Sequence, residues 1–554
     1  MSLLGVTAAL RQEPGFERAL EQSKARGEFE LVATPGVRPA LLVDLAQQRP
    51  LVVVTATGRG ADEMASALQA YLPTAQHDSV AVLPAWETLP HERLSPRPDT
   101  SARRLAVFRR LAHPEGDGPT GPIQILVVPV RSLLQPVVVG LGDLEPIVLR
   151  TGDTADLTEV AQRLTSAAYQ RVDMVERRGE FAVRGGILDI FPPTESHPLR
   201  IEFWGDEVSE IRWFSVADQR SLEVAVHGLW ATPCRELLLT PAVRERAAAL
   251  VNKLSGAGSS ETIALLERIA GGIATEGMES LIPVLADGLT AVLELVAGNA
   301  LLVVDDPEKV RRRAHDLVAT TSEFLAAAWS GAVSGGSTPL NLESASFITL
   351  DEAQAVAERR GLGWWTLGSF GLDHGLSDNT DPDSPGGDHN PEWSGDVVIN
   401  AQAVATYRGE VDRALQDLRA MQRDQWRIVL TTEGSGSAKR MVEQLGAVEC
   451  AARLVTDLAG EIEPGVVQVI PGHVGHGFLA PNLRLAVFSE ADLTGRKGTN
   501  TRDMRKLPSR RRNVVDPLQL KAGDYVVHEQ HGVGRFIEMV QRTMGAGATA
   551  HTRE

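Results

Sequence analysis

The sequence is poor in cysteine. Its 554 residues include two cysteines, Cys234 and Cys450, far apart along the chain. Two such residues cannot form a disulfide framework, nor by themselves a structural zinc site. This usage fits a reducing compartment, so we expect a cytoplasmic protein.

Long apolar runs and an excess of positive charge are also missing. The most apolar stretch, residues 289–304, is interrupted by Glu294, Gly298 and Asn299, so we expect no membrane span. Residues 1–15 lack the basic start and apolar core of a signal peptide. The net charge of -17 argues against a chain that coats nucleic acid along its length.

What is present indicates several folded domains, because 554 residues exceed a single core. Buried strands alternate with helical segments from Leu51 to Val130, which predicts an α/β fold with a parallel sheet. Closely spaced strands between Gly179 and Phe214 predict an inserted α+β unit. The predicted segments are 1–148 and 237–372 (one split α/β domain), 149–236 (the insert), 373–396 (an acidic flexible linker), 397–495 (a second α/β domain of unknown role), 496–516 (a basic linker) and 517–554 (the start of a truncated small β domain).

A degenerate nucleotide loop follows the first buried strand. A phosphate-binding loop needs glycines, a lysine and a Ser or Thr that holds magnesium. Thr57, Gly58, Gly60 and Asp62 stand where such a loop would lie, without the lysine or that hydroxyl, and Asp62 and Glu63 would repel phosphate. We interpret it as a non-functional remnant and expect no catalytic residue here.

Other motifs have weaker functional interpretations. Residues 433–440 carry glycines and a lysine at the wrong spacing, so a helix N-cap turn is favoured over a nucleotide site. Asp305 ends an apolar strand, and we interpret it as a helix cap before Pro307.

His528 and His531 have no evident third ligand, so we predict no metal site. The basic residues 496–512 could contact DNA, although a solvated linker is favoured.

An arginine-rich stretch holds the most informative residues. Arg171, Arg177, Arg178 and Arg184 surround alternating apolar positions that include Phe181. Arginine is favoured at recognition surfaces because its planar fork binds carboxylates through two hydrogen bonds. Composition alone leaves two interpretations open, a binding surface and a solvated sheet face.

Three motifs resemble the N-terminal region of bacterial transcription-repair coupling factors (the Mfd family), which is itself similar to the excision-repair protein UvrB. They are Leu83-Pro-Ala-Trp-Glu-Thr-Leu-Pro90, the run from Arg177 to Pro192, and Arg200-Ile-Glu-Phe-Trp-Gly-Asp-Glu207. Residues 523–536 resemble the start of the RNA-polymerase-interacting domain shared with CarD-like regulators. The three motifs between residues 83 and 207, followed along the chain by the stretch at 523–536, point to the Mfd family.

The resemblance implies that residues 1–372 form a UvrB-like module without nucleotide binding, and that the insert recruits the damage-recognition ATPase UvrA. Arg171, Phe181 and Arg184 are the implied UvrA contacts. Residues implied for the polymerase-interacting domain are His528, His531, Gly532, Gly534 and Arg535. That domain would bind the polymerase beta subunit, weakly here because it appears truncated.

The family's motor, a DNA translocase that uses ATP and magnesium, is expected beyond Glu554, so we expect no cofactor in this chain and DNA contact mainly through that motor. The leading hypothesis is a docking module. The alternatives are an ATPase and a regulator that only binds polymerase.

Overall fold

A computed structural model describes residues 2–24, 27–89, 92–116, 118, 120–254, 260–333, 346–369, 397–405, 407, 410–494 and four short strands between 525 and 553. Two compact units make up the chain. The larger contains residues 1–215 and 219–499, and the smaller contains residues 216–218 and 500–554. Within the described parts, no helix is both long enough and apolar enough to cross a membrane.

The helices are α1 (Leu4–Leu10), α2 (Pro14–Gln22), α3 (Arg38–Ala46), α4 (Gly58–Tyr71), α5 (Pro98–Ala112), α6 (Val130–Leu134), α7 (Leu157–Ser166), α8 (Pro241–Leu254), α9 (Ser260–Ala270), α10 (Ile282–Leu285), α11 (Pro307–Val333), α12 (Leu350–Arg359), α13 (Val411–Arg423), α14 (Ser435–Ala447) and α15 (Glu490–Thr494). The strands are β1 (Glu28–Val32), β2 (Leu51–Thr55), β3 (Val80–Val82), β4 (Ile125–Pro129), β5 (Val137–Val138), β6 (Ile147–Leu149), β7 (Gln170–Arg171), β8 (Glu180–Arg184), β9 (Ile187–Ile190), β10 (Leu199–Trp204), β11 (Glu207–Phe214), β12 (Ser221–Val224), β13 (Leu229–Ala231), β14 (Leu289–Thr290), β15 (Leu301–Asp305), β16 (Gly363–Gly368), β17 (Val397–Val398), β18 (Gln402–Ala403), β19 (Arg427–Thr432), β20 (Ala452–Leu454), β21 (Val467–Pro471), β22 (Phe478–Ala480), β23 (Leu485–Ser489), β24 (Tyr525–His528), β25 (Gly532–Arg535), β26 (Arg542–Met544) and β27 (His551–Arg553).

The first lobe is built on a parallel sheet with the strand order β17-β1-β16-β15-β2-β4-β3. Its central strands are continuous β-branched and leucine runs, because helices cover both faces of a parallel sheet. The α/β expectation is confirmed. One predicted boundary is wrong: β17 pairs with β1, so Val397 and Val398 belong to this sheet and not to the second lobe. The expected acidic linker, 373–396, lies outside the described residues.

The insert contains a six-stranded sheet with the order β12-β11-β10-β9-β8-β7, and α7 lies before it in the chain. Gly205, with a φ of +63°, turns β10 into β11, as its sequence predicts. The run from Gly179 to Phe191 is not one strand. It folds into the hairpin β8–β9, and Gly185 adopts a φ of +59° at the turn. A glycine adopts this left-handed backbone without steric cost.

A buried polar cluster joins the end of the insert to the first lobe. The Glu236 carboxylate accepts a hydrogen bond of 2.7 Å from the Trp86 indole and one of 2.6 Å from the Arg104 guanidinium, and all three side chains are buried. Arg104 also donates to the Pro84 carbonyl at 2.9 Å. The cluster fixes the chain where it leaves the insert, which gives the Leu83–Pro90 motif a structural role.

The second lobe is a sheet with the order β18-β22-β23-β19-β21-β20, in which β19, β20, β21 and β23 are parallel. Its core is continuous with that of the first lobe: Leu3 and Leu41 belong to the same buried cluster as Leu458 and Val487. The chain's N-terminus crosses the junction, where the Leu458 amide donates to the Ser2 carbonyl at 2.9 Å. The two lobes therefore form one packed body.

The smaller unit contains two antiparallel strand pairs, β24–β25 and β26–β27. β24 and β25 lie within the predicted small β domain, and His528 on β24 pairs with Gly532 on β25. The expected basic linker, 496–516, lies outside the described residues.

Replacement of Glu236 by alanine should lower the free energy of unfolding by about 3–5 kcal/mol, because the buried Arg104 charge would lose its partner. Chemical denaturation would measure the change. Glu261→Ala is the matched control, since the Arg93–Glu261 pair is solvent-exposed and should contribute less than about 1 kcal/mol. Equal losses in the two variants would contradict this role for the cluster.

Candidate functional site

The glycine turn after β2 is too short to surround a phosphate group. β2 ends at Thr55 and α4 begins at Gly58, so two residues connect them. The Thr57 hydroxyl accepts a hydrogen bond of 3.0 Å from the Gly60 amide, an N–H that a bound anion would otherwise use. That hydroxyl therefore serves as the N-cap of α4.

Part of the sequence argument about this loop is wrong. Asp62 and Glu63 do not lie at the start of the helix, because α4 begins at Gly58 and both carboxylates fall beyond its first turn. Glu63 also pairs with Arg59 at 2.9 Å. Repulsion at the helix N-terminus is therefore a smaller effect than expected, and the short connection is the stronger obstacle to nucleotide binding.

A buried arginine occupies the space beside the carboxylates that end β15. The Arg38 guanidinium lies 2.6 Å from Asp305 and 2.9 Å from Asp306, and it also donates to Ser369 and to the Ala33 carbonyl. Burial raises the pKa of the Asp305 carboxyl, and Arg38 opposes that rise. Burial would also raise the pKa of Asp306, but hydrogen bonds from Lys309 and Arg38 outweigh it and lower the pKa.

Asp305 is not the helix cap that the sequence suggested. The residue immediately before α11 is Asp306, and its carbonyl accepts hydrogen bonds from the Lys309 and Val310 amides. Asp306 has a φ of +54°, a left-handed conformation that Asp tolerates better than most residues. The carboxylate of Asp305 instead belongs to the ion-pair group around Arg38.

The second glycine motif is a helix start, as predicted. β19 ends at Thr432 and α14 begins at Ser435 after the N-cap Gly434. The two turns and the Arg38 group open on a cavity of about 870 Å³ between the carboxyl ends of the two sheets. Its charged lining residues are Arg38, Arg59, Glu63, Asp305, Asp306, Lys309, Glu433 and Glu490.

The insert's sheet has two unlike faces. One packs on α7 and forms a core that includes Phe181, Leu188 and Ile201. Alternate residues, such as Arg184, point to the other face. No helix of the insert covers that second face in the described structure, and we call it the open face.

Parts of the open face are nevertheless buried. Asp189 and Arg200 form an ion pair of 2.7 Å, and Arg200 stacks over the Phe214 ring at 4.8 Å. Arg200 also donates to the carbonyl of Gln219, whose side chain reaches the Val175 carbonyl. These contacts close one end of the open face and leave the end near the Gly185 turn exposed.

The three residues predicted to form one contact surface do not lie together. Phe181 is 0% exposed in the insert's core, so its prediction as a surface contact is wrong. Arg171 is exposed on β7, and its register with Phe181 places it on the face opposite to Arg184. Arg184 is exposed on the open face, where its guanidinium donates to the Asp173 carbonyl. A partner contact at Arg171 or Arg184 remains a prediction.

Sequence reasoning missed an exposed aromatic residue on the open face. Trp204, at the end of β10, is 84% exposed, and Ile187 on β9 is 36% exposed. The signal was available in the alternation of β10, where Arg200, Glu202 and Trp204 share one face and the buried Ile201 and Phe203 share the other.

The residues predicted near the C-terminus are described only as backbone. His528 lies on β24, and Gly532, Gly534 and Arg535 lie on β25. His531 lies outside the described residues. Within the described part of the chain, no group of three or more metal-ligating side chains is placed to hold a metal ion.

Comparison with known proteins gives two family matches. The UvrB interaction domain matches residues 147–228, and the CarD-like/TRCF RID domain matches residues 520–553. The transcription-repair-coupling factor of Mycobacterium tuberculosis is 43% identical over 98% of this chain and 43% of its own length. That of Bacillus subtilis is 24% identical over 83% of this chain and 37% of its own length. The chain spans less than half the length of these curated relatives.

Replacement of Arg38 by methionine should lower the free energy of unfolding by about 3–5 kcal/mol, because Asp305 and Asp306 would lose their buried counter-charge. Thermal or chemical denaturation would measure it. Asp305→Asn in the same chain should recover part of the loss, since it removes the unpaired buried charge. Lys309→Ala removes an exposed charge from the same group and serves as the control, with a loss under about 1 kcal/mol. A stable Arg38→Met protein would refute this account.

Proposed function

We propose that this chain, which corresponds to the N-terminal region of the transcription-repair-coupling factors, is a docking module that recruits UvrA to RNA polymerase stalled at a DNA lesion. The observation that carries the proposal is that the UvrB interaction domain match, residues 147–228, coincides with the inserted sheet. The end of that sheet near the Gly185 turn is exposed on the face that α7 does not cover. A partner can therefore reach it without any rearrangement of the first lobe.

The proposal assigns polymerase binding to the smaller unit. Its β24–β25 pair lies within the match to the CarD-like/TRCF RID domain, residues 520–553. We propose the beta subunit of RNA polymerase as the contact. UvrA and polymerase would thus be held by two separate units of the chain, and each contact could be removed without loss of the other.

We propose that the whole protein is an ATP-dependent DNA translocase and that the chain described here is not an ATPase itself. ATP, magnesium and most DNA contact would then belong to a motor outside this sequence. Three features support the second part: the two-residue connection before α4, the Thr57 hydroxyl on the Gly60 amide, and the Arg38 guanidinium on the strand-end carboxylates.

A regulator that only binds polymerase is the second candidate. The CarD-like/TRCF RID match favours it. This reading assigns no purpose to residues 147–228, where the other family match lies. A chain that binds polymerase and shows no affinity for UvrA would support the regulator over the docking module.

Arg184→Ala should weaken binding of purified UvrA by about 1–3 kcal/mol, roughly 5- to 150-fold in Kd, because an interface arginine would lose its bidentate contact. Isothermal titration calorimetry of this chain with UvrA would measure it. Arg163→Ala is the matched control, since Arg163 is an exposed arginine on α7, which packs on the other face of the sheet. An unchanged affinity for Arg184→Ala would remove that residue from the contact.

Steady-state ATP hydrolysis by this chain should not exceed the buffer background, with or without DNA. The physical reason is the lack of a loop that could hold the β- and γ-phosphates and magnesium. A phosphate-release assay would measure it, with the full-length protein as the positive control. Robust turnover that persists through purification and is lost in Thr57→Ala would overturn this part of the proposal.

A further inference from the structure

We propose that Trp204 is the apolar anchor of the UvrA contact on the open face, flanked by Ile187 and Arg184. The inference rests on the proposed docking function and deepens it, because it names a binding residue that neither the sequence motifs nor the family matches assign. Large apolar side chains are also exposed elsewhere on the insert. Trp204 is the largest of them and lies 84% exposed on a strand of the sheet, whereas Leu222 and Val224 on β12 are smaller and 41% and 48% exposed.

The register of the sheet places the three side chains in one row. Arg184 on β8 pairs with Ile187 on β9, and Ile187 pairs with Glu202 on β10. Trp204 lies two residues beyond Glu202, so its side chain points to the same face. Side chains at such diagonal positions are close enough for an aromatic ring to reach its neighbour.

The backbone around Trp204 is well defined. The Phe203 amide donates a 2.7 Å hydrogen bond to the Gly186 carbonyl, which ties the end of β10 to the Gly185–Gly186 turn. Trp204 pairs with Glu207 across the Gly205–Asp206 turn. Two hairpin ends that are hydrogen-bonded to each other therefore hold the backbone at Trp204, and this backbone needs no ordering when a partner binds. Such preorganisation reduces the entropic cost of association.

The Trp204 side chain does not belong to the hydrophobic core of the insert. Its side chain is 84% exposed, whereas the next aromatic residue on the open face, Phe214, is buried under Arg200. An exposed indole leaves most of its apolar surface in water, where it contributes little to folding stability. Tryptophan and arginine are the residue types most enriched among side chains that dominate binding energy at interfaces. The exposed end of the open face carries one of each.

The charges around the row define the chemistry of the complementary surface. Glu202, Asp206 and Glu207 are exposed beside Trp204, and Arg184 lies at the other end of the row. The fitting surface of UvrA is an apolar pocket for the indole, with basic groups facing the Glu202–Glu207 side and a carboxylate facing Arg184. Opposite charges arranged in this way fix the register of the contact.

The test compares three variants of this chain in calorimetric titrations with purified UvrA. Trp204→Ala should raise Kd by at least about 30-fold, the usual size of a loss at a dominant interface residue. Trp204→Phe should retain most of the affinity, because an aromatic ring can still fill the pocket. Val226→Ala is the matched control: Val226 is apolar and 88% exposed on the same insert, but it lies beyond β12 and outside the row.

The outcomes separate the inference from the function on which it rests. Failure of the unmodified chain to bind UvrA would refute the proposed function. If the unmodified chain binds and Trp204→Ala binds equally well, or if Val226→Ala loses as much affinity as Trp204→Ala, the anchor assignment is refuted while the docking function stands. Melting temperatures should be the same for all variants, since an exposed side chain contributes little to the core.

A second readout follows the indole itself. The fluorescence difference between the unmodified chain and Trp204→Phe isolates the emission of Trp204. That emission should shift to shorter wavelength when UvrA is added, because the ring leaves water. A difference spectrum that UvrA does not change would also refute the assignment.

Discussion

The buried charge of Arg38 is the interaction on which the carboxyl edge of the first sheet depends. Two adjacent carboxylates at a strand end are costly to bury, and in an enzyme a metal ion could balance them. Here a guanidinium from the first residue of α3 does so, and it also binds the Ala33 carbonyl ahead of that helix. The same contact joins α3 to β15 and removes the free negative charge that a magnesium ion would need.

The first lobe provides the framework to which the insert is attached. Its parallel sheet and the cavity at the carboxyl ends of its strands follow from strand order and helix packing, not from a bound ligand. The first lobe shares its hydrophobic core with the second lobe, so the two lobes form one packed body. The insert is attached to this body. Glu236, which accepts hydrogen bonds from Trp86 and Arg104, fixes the chain where it leaves the insert.

Sequence patterns predicted those parts of this fold that local physical chemistry determines. The run Leu51–Thr55 is β-branched and apolar enough to be a buried strand, and the Gly205–Asp206 turn defines a hairpin. The pairing of strands that lie far apart in the sequence could not be predicted in this way. A strand of two residues, such as Val397–Val398, has no periodicity of its own, so only the register with β1 shows where it belongs. The role of Asp305 was missed for the same reason, because its partner is 267 positions away.

The prediction for Phe181 was wrong for a different reason, because its place in a motif was given more weight than the alternation of its strand. Phe181 was grouped with the arginines by its place in the motif, although period-two alternation puts it with Val183 on the face opposite to Arg184. Trp204 was not predicted as a contact because the arginine-rich stretch covers β7 and β8, whereas Trp204 lies on β10. The alternation on β10 already separated it from Phe203. For a sheet with one packed face, the odd or even position of a residue along its strand indicates which face its side chain points to, and the contacts on that face then decide whether a partner can reach it.

The stability of the insert depends on one face of its sheet. A sheet needs one buried face to fold, and α7 together with Phe181, Leu188 and Ile201 supplies it. Stability therefore does not depend on the opposite face, where the Asp189–Arg200 pair closes one end and the row from Arg184 to Trp204 stays in water. Side chains in that row are free to be chosen for a partner because the fold places no demand on them. The two ends of a single face therefore differ: contacts within the insert bury one end, and the other end carries the side chains that we propose to contact a partner.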